Sequence, residues 1–125
     1  MKGKGWLLVI LLGIGFPAYG DSTAQELRAR SRKDIATPQG RAYEAKAVQV
    51  FWGDARFLSA CAPSDRPLPA PFTIYLEIRA DGTLGTLLMD PETKVGNCIR
   101  NHVANRHFEK PPGEFVLKID LSFKN

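Results

Sequence analysis

Hydrophobic and polar positions change their period several times along this chain, and each change marks a predicted element. At the start, Lys2 and Lys4 precede an unbroken apolar run from Trp6 to Phe16, and Pro17-Ala18-Tyr19-Gly20 then supplies small residues where a signal peptidase reads. Residues 1–20 are predicted to be a secretory signal peptide cleaved between Gly20 and Asp21. The run is eleven residues long, against the roughly 20 that a membrane-spanning helix needs, and Pro17 would break a helix there, so no permanent span is expected after cleavage.

The next stretch has little pattern. Ser22-Thr23-Ala24-Gln25 has the form of a capping box, so a short helix can start there and run toward Arg32. Leu27 is its only large apolar residue, and 21–36 is expected to be a mobile N-terminal segment. A helical period begins after Thr37-Pro38, a capping hydroxyl followed by proline at the first helical position. Tyr43, Ala47, Val50, Phe51, Phe57, Leu58 and Cys61 then share one stripe, with Arg41, Glu44, Lys46, Gln49 and Arg56 opposite. This predicts one amphipathic helix over 38–61, weakened at Gly53, with Trp52 as a partly buried flank. Pro63, Pro67, Pro69 and Pro71 exclude both helix and central strand and mark a connector.

From Phe72 the period becomes two. Phe72, Ile74, Leu76 and Ile78 face a core while Thr73, Tyr75, Glu77 and Arg79 face solvent. Ala80-Asp81-Gly82-Thr83 is a turn suited to positive φ, and Leu84 to Met89 forms the return strand of a hairpin. Asp90-Pro91-Glu92 starts a second helix, with Asp90 as its cap and Val95, Cys98, Ile99, His102 and Val103 on one face. Pro111-Pro112-Gly113 ends it, and Phe115, Leu117, Ile119, Leu121 and Phe123 alternate with Glu114, Val116, Lys118, Asp120 and Ser122 in the clearest strand of the chain. The fold class that follows is α+β: a small three-stranded antiparallel sheet packed against two helices, a β-β-α-β unit preceded by an amphipathic helix. Residues 37–125 form a single domain.

Charge removes one class of partner. The chain of 125 residues carries 17 basic and 13 acidic side chains, and losing Lys2 and Lys4 with the signal peptide leaves the mature protein near neutral. The basic cluster Arg28 to Lys33 has no interleaved aromatics, so no nucleic-acid partner is expected. Cys61 and Cys98 are the only cysteines. In an oxidising compartment they pair as one structural disulfide, and closing a 37-residue loop is worth about 4 kcal/mol. No C-x-x-C spacing is present, and His102 and His107 are five apart on different helical faces, so neither metal nor cofactor is expected.

Chemistry is otherwise sparse. His102 and His107, with Asp90, Glu92 or Glu109 as partners, are the best ingredients for an enzyme. No nucleophile motif accompanies them, and a histidine on an apolar stripe, as His102 is, suits a core position. No catalytic residue is assigned and no enzymatic activity is expected. Trp52, Tyr75 or Phe108 lining a small-ligand or inhibitor pocket is the alternative.

The order strand, Asp-Gly turn, strand, cysteine-bearing helix, Phe-x-x-Pro-Pro and long final strand resembles the C-terminal domain of TonB-type energy transducers. It is especially similar to variants, also seen in myxobacterial gliding-motility proteins, that carry a cysteine in the second helix. The residues concerned are Ile78 to Leu84, Cys98 to Val103, Phe108 to Pro112 and Val116 to Phe123, within 72–123. The chain departs from a transducer in its cleavable leader and in lacking a long proline-rich arm, so energy transduction is not implied. The resemblance implies an exported, periplasmic or secreted, domain that binds envelope proteins by taking up a partner strand, as an accessory of an envelope complex. Phe115, Leu117, Lys118, Ile119, Leu121 and Phe123 are the candidate edge for that pairing.

Overall fold

The structure, a computed structural model, describes residues 23–62, 67 and 69–123. The signal-peptide and cleavage expectations therefore lie outside the described residues. The elements are α1 (Ala24–Asp34), α2 (Pro38–Trp52), α3 (Phe57–Cys61), β1 (Phe72–Ile78), β2 (Leu84–Asp90), α4 (Lys94–Val103) and β3 (Phe115–Leu121). The fold is α+β, with one antiparallel sheet in the order β2-β1-β3. Because β3 passes β2 to pair with the far side of β1, β1 becomes the central strand.

Alternation in β1 decides what each sheet face holds. Phe72, Ile74, Leu76 and Ile78 point to one face, where they join Phe115, Leu117, Ile119 and Leu121 of β3 in the main core. Tyr43, Ala47 and Phe51 of α2, Phe57 of α3, and Ile99 and Val103 of α4 cover that face. On the opposite face Tyr75 and Val116 are fully buried beneath Leu27 of α1, with Leu88 alongside. The period of two assigns Tyr75 to solvent. Strand alternation does put it on the second face, but α1 covers that face.

Three other local outcomes differ from the sequence pattern. The segment expected to be mobile contains α1, started by a complete capping box: the Thr23 hydroxyl accepts from the Glu26 amide while the Glu26 carboxylate accepts from the Thr23 amide. The box is shifted one residue from the Ser22 to Gln25 assignment. The helix predicted over 38–61 breaks in two, because Gly53 (φ 55°) and Ala55 (φ 62°) turn the backbone into the left-handed region between α2 and α3. Thr93, and not Asp90, caps α4 by accepting from the Gly96 amide at 2.8 Å. Asp90 instead completes β2. As expected, Thr37 caps α2 with Pro38 behind it.

The hairpin turn is tied into the body of the protein. Asp81 Oδ1 accepts from both the amide and the hydroxyl of Thr83, which holds the Asp81 carboxyl below its ordinary pKa. Gly82 takes φ 88°, and its carbonyl accepts from the Phe108 amide at 3.3 Å. A side chain there would meet the Phe108 carbonyl oxygen at 2.3 Å. Cys61 and Cys98 stand at disulfide distance, Sγ to Sγ 2.03 Å and Cα to Cα 5.5 Å, joining α3 to α4.

Candidate functional site

A three-stranded sheet has two outer edges, and hydrogen-bond parity shows which peptide groups each one presents. The Val116 amide donates to Asp34 Oδ2 at 2.9 Å, so it points away from β1. Successive peptide groups of a strand alternate in direction, so Lys118 and Asp120 also present theirs outward on β3, while Phe115, Leu117, Ile119 and Leu121 bond to β1. Their partners Ile78, Leu76, Ile74 and Phe72 then point toward β3, leaving Thr73, Tyr75 and Glu77 to bond β2. The Arg79 amide donating across the turn to the Thr83 carbonyl at 2.8 Å follows the same parity independently. Leu88 and Asp90, opposite Tyr75 and Thr73, therefore face inward on β2, and Leu87 and Met89 present their peptide groups to the open edge.

The β3 edge is obstructed. Helix α1 lies on one sheet face and α2 on the other, so the short connection Ile35 to Thr37 must pass around an edge of the sheet. The bond from Val116 to Asp34 at the end of α1 locates that passage at the start of β3. Farther along, Lys118 pairs with Asp120 at 3.0 Å, and Asp120 accepts from the Thr73 hydroxyl at 2.6 Å. The Thr73 bond, with help from Lys118, holds the Asp120 carboxyl below its ordinary pKa. Charged side chains of this kind blunt a strand edge.

Helix α1 is also fastened through its polar side chains. Arg30 pairs with Glu77 on β1, and Arg28 Nε donates to the Tyr75 hydroxyl at 3.0 Å. Burial pulls the Glu77 carboxyl up, but the bonds from Arg30 and Thr86 outweigh it and hold its pKa below the ordinary value. Part of the basic cluster noted from the sequence thus serves the internal packing of the first helix.

Among the described residues the β2 edge has such protection only at its turn end, where Arg79 Nη1 donates to the Leu84 carbonyl at 2.8 Å. Leu84-Gly85-Thr86-Leu87-Leu88-Met89 contains no charge and no proline. Leu84, Leu87 and Leu88 are only partly buried although they border the core. A bulge at Gly85 and Thr86, opposite Glu77, interrupts the pairing near the turn, and the regular stretch from Leu87 to Asp90 follows.

Other residues singled out from sequence are dispersed. The expected edge residues Phe115, Leu117, Ile119 and Leu121 bury their side chains in the core, whereas Lys118 and Phe123 are partly exposed. Tyr75 and Phe108 are buried, and Trp52 is the partly covered flank expected of it. His102 is exposed and stacks against Phe57, centroids 5.9 Å apart, and so is not a core histidine. His107 is also exposed. The side chains of Cys61, Cys98 and His102 come within 4.8 Å of one another, but sulfurs bonded to each other offer no thiolate to a metal. Among the described residues no helix is long and apolar enough to cross a membrane.

Comparison with protein-family models, curated proteins and solved structures finds no match to this chain.

Proposed function

We propose that this chain is an exported, non-enzymatic protein-interaction module that takes up an extended segment of an envelope partner along its β2 edge. The observation that carries this reading is the outward-facing, uncharged strand around Leu87 and Met89. An incoming strand there gains main-chain hydrogen bonds from peptide groups already held in extended geometry, and the half-covered Leu84, Leu87 and Leu88 offer apolar contact on both sides of the sheet. The TonB-like order of elements supports the class of partner. The sequence pattern favours β3 as the docking strand, but α1 and its connection to α2 obstruct β3, so docking falls on β2.

Export is supported by the leader-like N-terminus and by the cysteine pair at disulfide distance, since such bonds persist outside the reducing cytosol. Mass spectrometry of the purified protein tests it: the expected N-terminus is Asp21, with two hydrogens missing from the thiols. Free thiols on the intact precursor would remove this part of the proposal.

Paired proline variants test the edge. Leu87→Pro and Lys118→Pro each delete an outward amide from an edge strand, so neither removes a bond within the sheet. With circular dichroism confirming both folds, an envelope partner captured by the wild type is expected to be lost from Leu87→Pro and retained by Lys118→Pro. Retention by Leu87→Pro would refute docking on β2.

A further inference from the structure

The break between α2 and α3 and the last turn of α4 enclose a groove of about 320 Å3 lined by Asp54, Arg56, Phe57, Ala60, His102 and Arg106. The rings of Phe57 and His102 form its floor, and Trp52 backs Phe57 without lining the groove. Trp52 stacks on Phe57 with centroids 6.0 Å apart and planes within 9°, and Phe57 meets His102 at 5.9 Å and 24°. Arg106 is positioned over this floor by two restraints: its Cζ lies 5.5 Å from the Phe57 centroid, and its Nε donates to the Phe51 carbonyl at 3.2 Å. That carbonyl is in the last turn of α2, where a carbonyl has no helical partner, so Arg106 also caps the helix. Among the described residues no hydrogen bond reaches the two terminal nitrogens of the guanidinium fork, which lie beside Gly53.

Among the described residues Asp54 is the one carboxylate lining the groove, and Arg56 occupies both of its oxygens. Oδ1 accepts from the Arg56 amide at 3.1 Å, and Oδ2 lies 2.9 Å from Arg56 Nε. Among the described residues no carboxylate lies within ion-pair distance of Arg106. The groove thus presents one pre-oriented guanidinium without an acidic partner, beside an imidazole and a second guanidinium. The turn that supplies Asp54 and Arg56 holds Ala55 between them at φ 62°, a left-handed conformation that a residue with a Cβ keeps only where its surroundings impose it.

We infer that this groove binds an organic carboxylate attached to a flat apolar group. The Arg106 fork is matched to both carboxylate oxygens, and the flat group lies along the exposed His102 ring. A free aromatic acid and a peptide chain ending in an aromatic residue share this chemistry. The site has no residue in common with the β2 edge and stands or falls separately from it.

Titration of the full-length protein, followed by the NMR signals of the His102 ring and Arg106 Nε–Hε, provides the test. Benzoate is expected to shift both signals saturably, and benzamide, equal in shape but uncharged, is expected to bind at least about tenfold more weakly. The dipeptide Gly-Phe and its C-terminal amide form the second arm. Tighter binding of the free dipeptide than of benzoate assigns the site to a chain terminus, and the reverse order assigns it to a free acid. Arg106→Gln is expected to weaken benzoate about tenfold or more. Absence of a saturable shift, equal affinity for benzoate and benzamide, or undiminished benzoate binding by a folded Arg106→Gln protein would each overturn the inference. If that variant does not fold, the contrast between benzoate and benzamide on the wild type decides.

Discussion

The two edges of this sheet are built from strands of equal length, β2 (Leu84–Asp90) and β3 (Phe115–Leu121), both antiparallel to the same central strand. They differ in what surrounds them. Beside β3 the chain passes from one sheet face to the other, Asp34 occupies an outward amide, and Lys118 and Asp120 add charge. Beside β2 no further strand of the sheet pairs, and Leu84 to Met89 carry no charge, although Arg79 reaches the Leu84 carbonyl from the turn end. The residues that make β3 the more strand-like sequence, its regular apolar alternation, serve the core and do not mark a docking surface. Edge availability depends on where the rest of the chain runs.

The largest expected effect comes from removing what holds α1 over β3. Leu27 is fully buried between Tyr75 and Val116, and Leu27→Ala is expected to lower stability by about 3 kcal/mol in urea denaturation. Hydrogen exchange should then show faster exchange at Val116, Lys118 and Asp120 than at Leu87 relative to the wild type. Unchanged protection of β3 would mean that α1 does not guard that edge.

Asp34→Ala acts on a single contact. It leaves the buried Val116 amide without its acceptor, for an expected loss of about 1–2 kcal/mol, whereas Asp34→Asn, which keeps an oxygen acceptor, should recover most of it. The alanine variant is also expected to self-associate with rising concentration in analytical ultracentrifugation, because it opens the second edge. A strictly monomeric variant of normal stability would contradict the guarding role.

The smallest effect is an acid limb. The pKa of Glu77 is lower in the folded protein than its ordinary value of 4.5, so its contribution is present above that pH and disappears as pH falls through the lower folded value. Asp120 acts in the same direction below its ordinary 3.8. Arg30 is about a third exposed, so the Glu77 contribution is expected to be under about 1 kcal/mol. Glu77→Gln should flatten the stability curve below about pH 4.5, and an unchanged slope would show that the ion pair to α1 contributes nothing.

Much of the fold is legible in local sequence because local physics decides it. The alternation of Phe72 to Ile78 and Phe115 to Leu121, the Asp81-Gly82 turn and the Thr37-Pro38 start each follow from short-range rules. Helix α1 is illegible as a packed element because a single leucine makes no stripe. Its partners, Tyr75 and Val116, lie far along the chain on a face that alternation alone assigns to solvent. The break at Gly53 carries one visible signal, the glycine, but nothing in the residue Ala55 announces its left-handed backbone. The candidate site is harder still to read. That β2 is the open edge requires knowing that β3 pairs with β1 and that the chain rounds β3 at Ile35 to Thr37, both non-local facts. The pairing of Arg106 with the α2 terminus spans 55 positions and is equally silent.

The bond between Val116 and Asp34 joins residues 82 positions apart, from the first and last described elements. During synthesis or translocation α1 emerges early yet finds only the hairpin side of its seat, Tyr75, Glu77 and Leu88, until β3 brings Val116, so the nascent chain must wait with its hairpin paired on one side only. A chain released before β3 is complete would therefore keep its first helix on only part of its seat, and quality-control proteases would meet both ends less protected.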